Sequence, residues 1–72
     1  MNFPNAVKFV RSVTGMSQEA LARALNVSFA TINRWENGKT RPNQMAKSVF
    51  FDFCERNGIN AQDLSSDINL ED

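Results

Sequence analysis

Histidine and tyrosine are absent from this 72-residue chain, and cysteine occurs once, as Cys54. Without histidine, general acid–base chemistry has to rest on carboxylates or lysines, and no paired arrangement of them is visible. The chain is therefore not expected to be an enzyme. One cysteine closes no internal disulfide and builds no cysteine cage for a metal, so no cofactor is expected and a reducing compartment fits. No apolar run approaches the roughly 20 residues that span a bilayer. The start, Met1-Asn2-Phe3-Pro4, lacks the basic-then-apolar layout of a signal peptide. The expectation is a soluble, cytoplasmic chain with no membrane partner. At this length no room is left for a ligand domain, so no small-molecule inducer is expected either.

What is present is ordinary for a folded chain: 42% of the residues are hydrophobic, too many for wholesale disorder. At this length they build one small domain with a small core. Net charge is zero, but it is unevenly divided. Residues 1–50 hold seven basic groups against two acidic ones, a net +5. Residues 51–72 hold one basic group against six acidic ones, a net −5. Salt screens charges beyond about 8–10 Å, so a polyanion would feel the local field and not the total.

Glycine and proline are few, and each stands where a helix should begin or end. Pro4 suits the first turn of a helix, where its missing N–H costs nothing. Ala6, Val7, Val10 and Val13 then recur at helical spacing, and Gly15 closes that element. Ser17 is a good N-cap for a second helix to about Leu25. Asn26 sits where a turn requires positive φ, a conformation that asparagine tolerates best after glycine. Ser28 caps a third helix, which stops at Asn37-Gly38. Lys39-Thr40-Arg41-Pro42 reads as a polar loop. Asn43 caps a long fourth helix to about Asn57, closed by Gly58. On it Ala46, Val49, Phe50 and Phe53 form an i, i+3, i+4, i+7 stripe, expected to be core, with Phe51 off that stripe. Cys54 lies at the stripe's edge and reads as a packed thiol rather than a redox group. Asn60 is expected to cap a short turn through Leu64, with Ile59 and Leu64 packing back. Residues 65–72 read as a frayed acidic end.

The stretch from Ser17 to Gly38 carries the functional signal. Two short helical patterns are joined by three turn-like residues, too few for the helices to lie antiparallel. They must cross steeply, with small Ala22 where a larger side chain would collide. Leu21, Ala22 and Leu25 line one buried face, Val27 plugs the turn, and Ile32 and Trp35 line the other. The opposite face of the third helix carries Phe29, Ala30, Asn33, Arg34 and Asn37. Small, amide and guanidinium side chains suit base edges in a DNA major groove.

The chain resembles the Xre/Cro/CI family of helix-turn-helix DNA-binding proteins. The matching residues are Val10-Arg11, Met16-Ser17-Gln18-Glu19-Ala20-Leu21-Ala22, Val27-Ser28, the run Ile32-Asn33-Arg34-Trp35-Glu36-Asn37-Gly38-Lys39, and Pro42. The resemblance covers about residues 6–64. It implies an all-α, compact four- to five-helix, lambda-repressor-like domain over residues 1–64, with its helix-turn-helix at helices two and three. By the same resemblance Ser28, Phe29, Ala30, Asn33 and Arg34 face the bases. Gln18 binds a phosphate and braces the recognition helix, while Asn37, Lys39 and Arg41 grip the DNA backbone. Arg11 and Glu36 resemble a pair that links helix one to the end of helix three. Two departures stand out: Asn26 replaces the common turn glycine, and helix four is about one turn longer than is typical.

Individual residues leave alternatives open. Arg34 pairs with guanine, contacts a phosphate, or is a solvated surface charge. Asn33 reads adenine or is an idle surface amide. Phe29 meets a thymine methyl or packs at the edge of the core. Trp35 is core, with a phosphate contact through its indole N–H as the alternative. The expected partners are double-stranded DNA and a second copy of the chain, with Phe51 on helix four and Phe3 near the start of the chain as candidate dimer contacts. The alternative function is an antitoxin or interaction module, with a toxin or another protein held by the tail around Asp67, Ile68, Leu70, Glu71 and Asp72.

Overall fold

The computed structural model describes residues 2–60, which form α1 (Phe3–Thr14), α2 (Gln18–Leu25), α3 (Phe29–Glu36) and α4 (Gln44–Arg56), with no strand among them. The expected turn at Leu64 and the acidic end at 65–72 lie outside the described residues.

Every helix starts on a side-chain cap. Asn2 and Asn43 accept from the N–H groups of Asn5 and Ala46 at 2.9 and 2.8 Å. Ser17 and Ser28 do the same for Ala20 and Thr31 at 3.0 and 3.1 Å. Each cap satisfies one of the N–H groups that a helix start leaves without a backbone partner. Asn2 caps α1, and Pro4 stands in its first turn as its missing N–H allows. The ends are equally local. Asn26 adopts φ 59°, and the next N–H, of Val27, returns to the Ala22 carbonyl at 2.9 Å. After α3, Gly38 at φ 69° turns the chain so that the Lys39 N–H reaches the Arg34 carbonyl at 3.1 Å. Both closures need the left-handed backbone conformation that side chains other than glycine and asparagine resist.

The core joins all four helices: Ala6, Val7 and Val10 from α1, Leu21, Ala22 and Leu25 from α2, Ile32 and Trp35 from α3, and Phe50 and Cys54 from α4. Phe3 belongs to it as well. Its ring meets Trp35 edge-on at 5.2 Å and Phe50 at 5.1 Å. Val13, last of the expected α1 stripe, is exposed instead.

Helix α4 differs from its sequence reading in phase. Its buried residues are Lys47, Phe50 and Cys54, while Val49 is exposed and Ala46 and Phe53 are only half-buried. The expected stripe is rotated by about one residue. Lys47, which scores as polar, occupies one of the inward positions, and a lysine can be buried along its four-carbon stem. That rotation carries Phe51 onto the core, where its ring packs against Phe50 at 5.7 Å. Phe3 is buried and Phe51 half-buried against the core, so neither is the exposed aromatic expected for a dimer contact. Cys54 is central rather than marginal, and burial pushes its thiol up to about 11.

Candidate nucleic-acid interface

The scaffold beneath the site is a three-helix clasp on Glu36. The last residue of α3, Glu36 is buried, yet its carboxylate is fully engaged. Arg11 of α1 donates from Nε to Oε2 at 2.6 Å and from Nη2 to Oε1 at 3.0 Å. Gln18, at the first position of α2, donates from Nε2 to Oε1 at 2.9 Å. Arg11 also donates from Nη1 to the Met16 carbonyl at 3.4 Å, tying the α1–α2 turn to the same group. A carboxylate at a helix C-terminus meets an unfavourable dipole, and the guanidinium offsets it. The Arg11 hydrogen bonds hold the Glu36 carboxyl below the usual carboxylate range, against the upward push of burial, and Gln18 adds to the lowering. Glu36 in turn holds the Arg11 guanidinium above its ordinary value.

Ile32, Trp35 and Glu36 of α3 face inward and Thr31 is half-buried, while the rest of the helix faces water. Ser28, Phe29, Ala30, Asn33, Arg34 and Asn37 are all exposed. Phe29 is 54% exposed and lies outside the core cluster. Trp35 at 4% exposure is core. Lys39 and Arg41 are exposed in the loop after α3, and neither they nor Arg34 form an ion pair among the described residues.

Two of the candidates are occupied. The Ser28 hydroxyl caps α3 and lies 2.9 Å from the Thr31 hydroxyl. The Gln18 amide nitrogen donates one of its two hydrogens to Glu36, which leaves its second N–H to donate elsewhere. Two contacts were not legible beforehand. Thr31 pairs with Ser28, and the Asn37 amide donates from Nδ2 to the Asn33 Oδ1 at 3.4 Å. The signal for each was spacing: polar side chains three or four residues apart on one helix are neighbours.

No group of histidine, cysteine or acidic residues that could hold a metal ion occurs among the described residues. No helix among them is long and apolar enough to cross a membrane. Residues 14–45 match the protein family described as Helix-turn-helix, a span that runs from the end of α1 through α2 and α3 to the start of α4. The comparison with curated proteins gave no match, and neither did that with solved structures.

Proposed function

We propose that this chain, whose residues 14–45 are a helix-turn-helix unit of the DNA-binding Xre/Cro/CI family, reads double-stranded DNA in the major groove with α3 and acts as a small transcriptional repressor or regulator. The observation that carries the reading is the outer face of α3. Phe29, Ala30, Asn33 and Arg34 stand exposed on a helix whose other side is locked into the core. Phe29 lies outside the core cluster and Arg34 has no ion pair among the described residues. The face fits base reading: the guanidinium matches guanine, the amide matches adenine, and the phenyl matches a thymine methyl. Small Ala30 lets the helix approach closely. Lys39 and Arg41 stand where the loop after α3 would meet the phosphates, and Gln18 has a second amide N–H to donate at the start of α2.

One recognition helix reads only a few base pairs, too few for a useful specificity ratio in a genome. The reading therefore includes a homodimer on two half-sites about 34–36 Å apart. Selection of binding sites from random duplex DNA tests it. The expected result is an enriched two-fold repeat. Enrichment of no sequence would overturn base reading, and enrichment of one unrepeated half-site would overturn the dimer.

A further inference from the structure

We propose that Asn37 is a positioning residue for base recognition, holding the Asn33 amide in one of its two flip states; this rests on the reading of α3 as the base-facing helix. The two side chains lie one turn apart on the same helix face, with Asn37 Nδ2 donating to Asn33 Oδ1 at 3.4 Å. The Asn37 backbone is itself held there. Its N–H donates to the Asn33 carbonyl at 3.1 Å, and the chain then turns away at Gly38. The Asn33 Nδ2 makes no hydrogen bond among the described residues and is left to donate outward.

This arrangement has a directional consequence. An asparagine amide can be turned by 180° with little change of shape, exchanging its donor and its acceptor. A base-reading amide that flips freely matches two different edges and distinguishes them poorly. With Oδ1 on the Asn37 side, a bidentate contact with adenine needs the N6 amino group toward Asn37 and N7 away from it. The oxygen has a second lone pair for that N6 donor, so the Asn37 bond and the base contact coexist. The arrangement thus sets which strand carries the adenine, A·T against T·A. In this role Asn37 acts through Asn33 and does not grip a phosphate.

The test uses the full chain and the DNA site obtained by selection, with every single base-pair substitution of that site. Asn33→Ala identifies the base pair that Asn33 reads. Asn37→Ala should relax discrimination at that same base pair by about two- to fivefold, in keeping with a surface amide pair strengthened where DNA excludes water. It should have no further effect in the Asn33→Ala background. Asn37→Asp, which can only accept, should turn the Asn33 amide over and change the rank order of base pairs at that position. In the free chain, Asn37→Ala should shift the Asn33 side-chain amide resonances in a nitrogen-15 spectrum, a readout that needs no DNA. An Asn37→Ala effect equal on every sequence and additive with Asn33→Ala would make Asn37 a phosphate contact and overturn the proposal. Unmoved Asn33 resonances would overturn it too. A wild-type chain that discriminates no base pair, with the resonance shift present, would instead overturn the base-facing reading underneath.

Discussion

Single side chains divide into those that hold α3 in place and those that α3 presents. Glu36 and Arg11 belong to the first group. Arg11→Ala strands a buried carboxylate with only Gln18 as partner. The expected loss is about 2–3 kcal/mol, less than for a fully buried pair because Arg11 is 27% exposed. In a chain this short that lowers the melting temperature by on the order of 10–20 °C, which thermal denaturation measures. The pH dependence follows from the lowered Glu36 value. Its contribution is fully present above the unfolded carboxylate value of about 4.3 and disappears as pH falls through the folded one. Glu36→Gln should flatten that acid limb; an unchanged limb would mean that other carboxylates set it. In the second group Arg34 and Lys39 should separate. Arg34→Ala is expected to relax preference at one base pair by about 1–3 kcal/mol, while Lys39→Ala weakens all sequences alike. Titration of both variants against the single-substitution set checks this, and a uniform loss for Arg34→Ala would reduce it to a phosphate contact.

At the scale of elements, the α2–α3 turn is the sensitive joint. Its geometry depends on Asn26 at positive φ and on Ala22, which is almost completely buried. Asn26→Gly should stabilise the fold slightly, by less than about 1 kcal/mol, because glycine adopts the left-handed conformation without a steric cost. Asn26→Val should destabilise by about 1–2 kcal/mol, since a β-branched side chain resists that conformation most. Urea denaturation of both variants reads the sign. If the valine variant matched wild type, the turn would not depend on this φ. Helix α4 plays a different part. It contributes Phe50 and Cys54 to the core and packs chiefly on α2, and its Met45 and Val49 remain exposed.

For the whole molecule, the division of charge matters more than its zero total. Lys39 and Arg41 are exposed in the loop after α3, and they are the cations whose phosphate contacts would release counterions. With roughly 2–4 phosphates neutralised per copy, the log–log slope of affinity against salt should lie near −2 to −4 per monomer. Sedimentation with and without the selected site should show two copies on the DNA; one copy per site would refute the dimer. Phe51→Asp now carries a different expectation from that of an interface residue. A charge placed against the core should cost about 2 kcal/mol or more of folding stability. It should therefore lower the melting temperature even in dilute chain without DNA. A variant as stable as wild type would return Phe51 to the surface.

Much of this protein was decided by neighbours a few residues apart, and those parts were readable in the sequence. Ser17, Ser28 and Asn43 each cap the helix that follows, and Asn26 and Gly38 each end the one before, because caps and left-handed turns act within one helical turn. The inward set of Leu21, Leu25, Ile32 and Trp35 and the outward set on α3 followed from periodicity for the same reason. The bidentate contact between Arg11 and Glu36 joins residues 25 apart, and only family resemblance pointed to it. Periodicity alone did not find the phase of α4. Which of its faces turns inward depends on how Lys47, Phe50 and Phe51 fit against the helices it packs on, α2 above all, and a lysine stem serves as core surface only where a neighbouring helix covers it. Phe3 had no local pattern to belong to. Its place between Trp35 and Phe50 exists only after three helices have met, so the tertiary structure alone decided it.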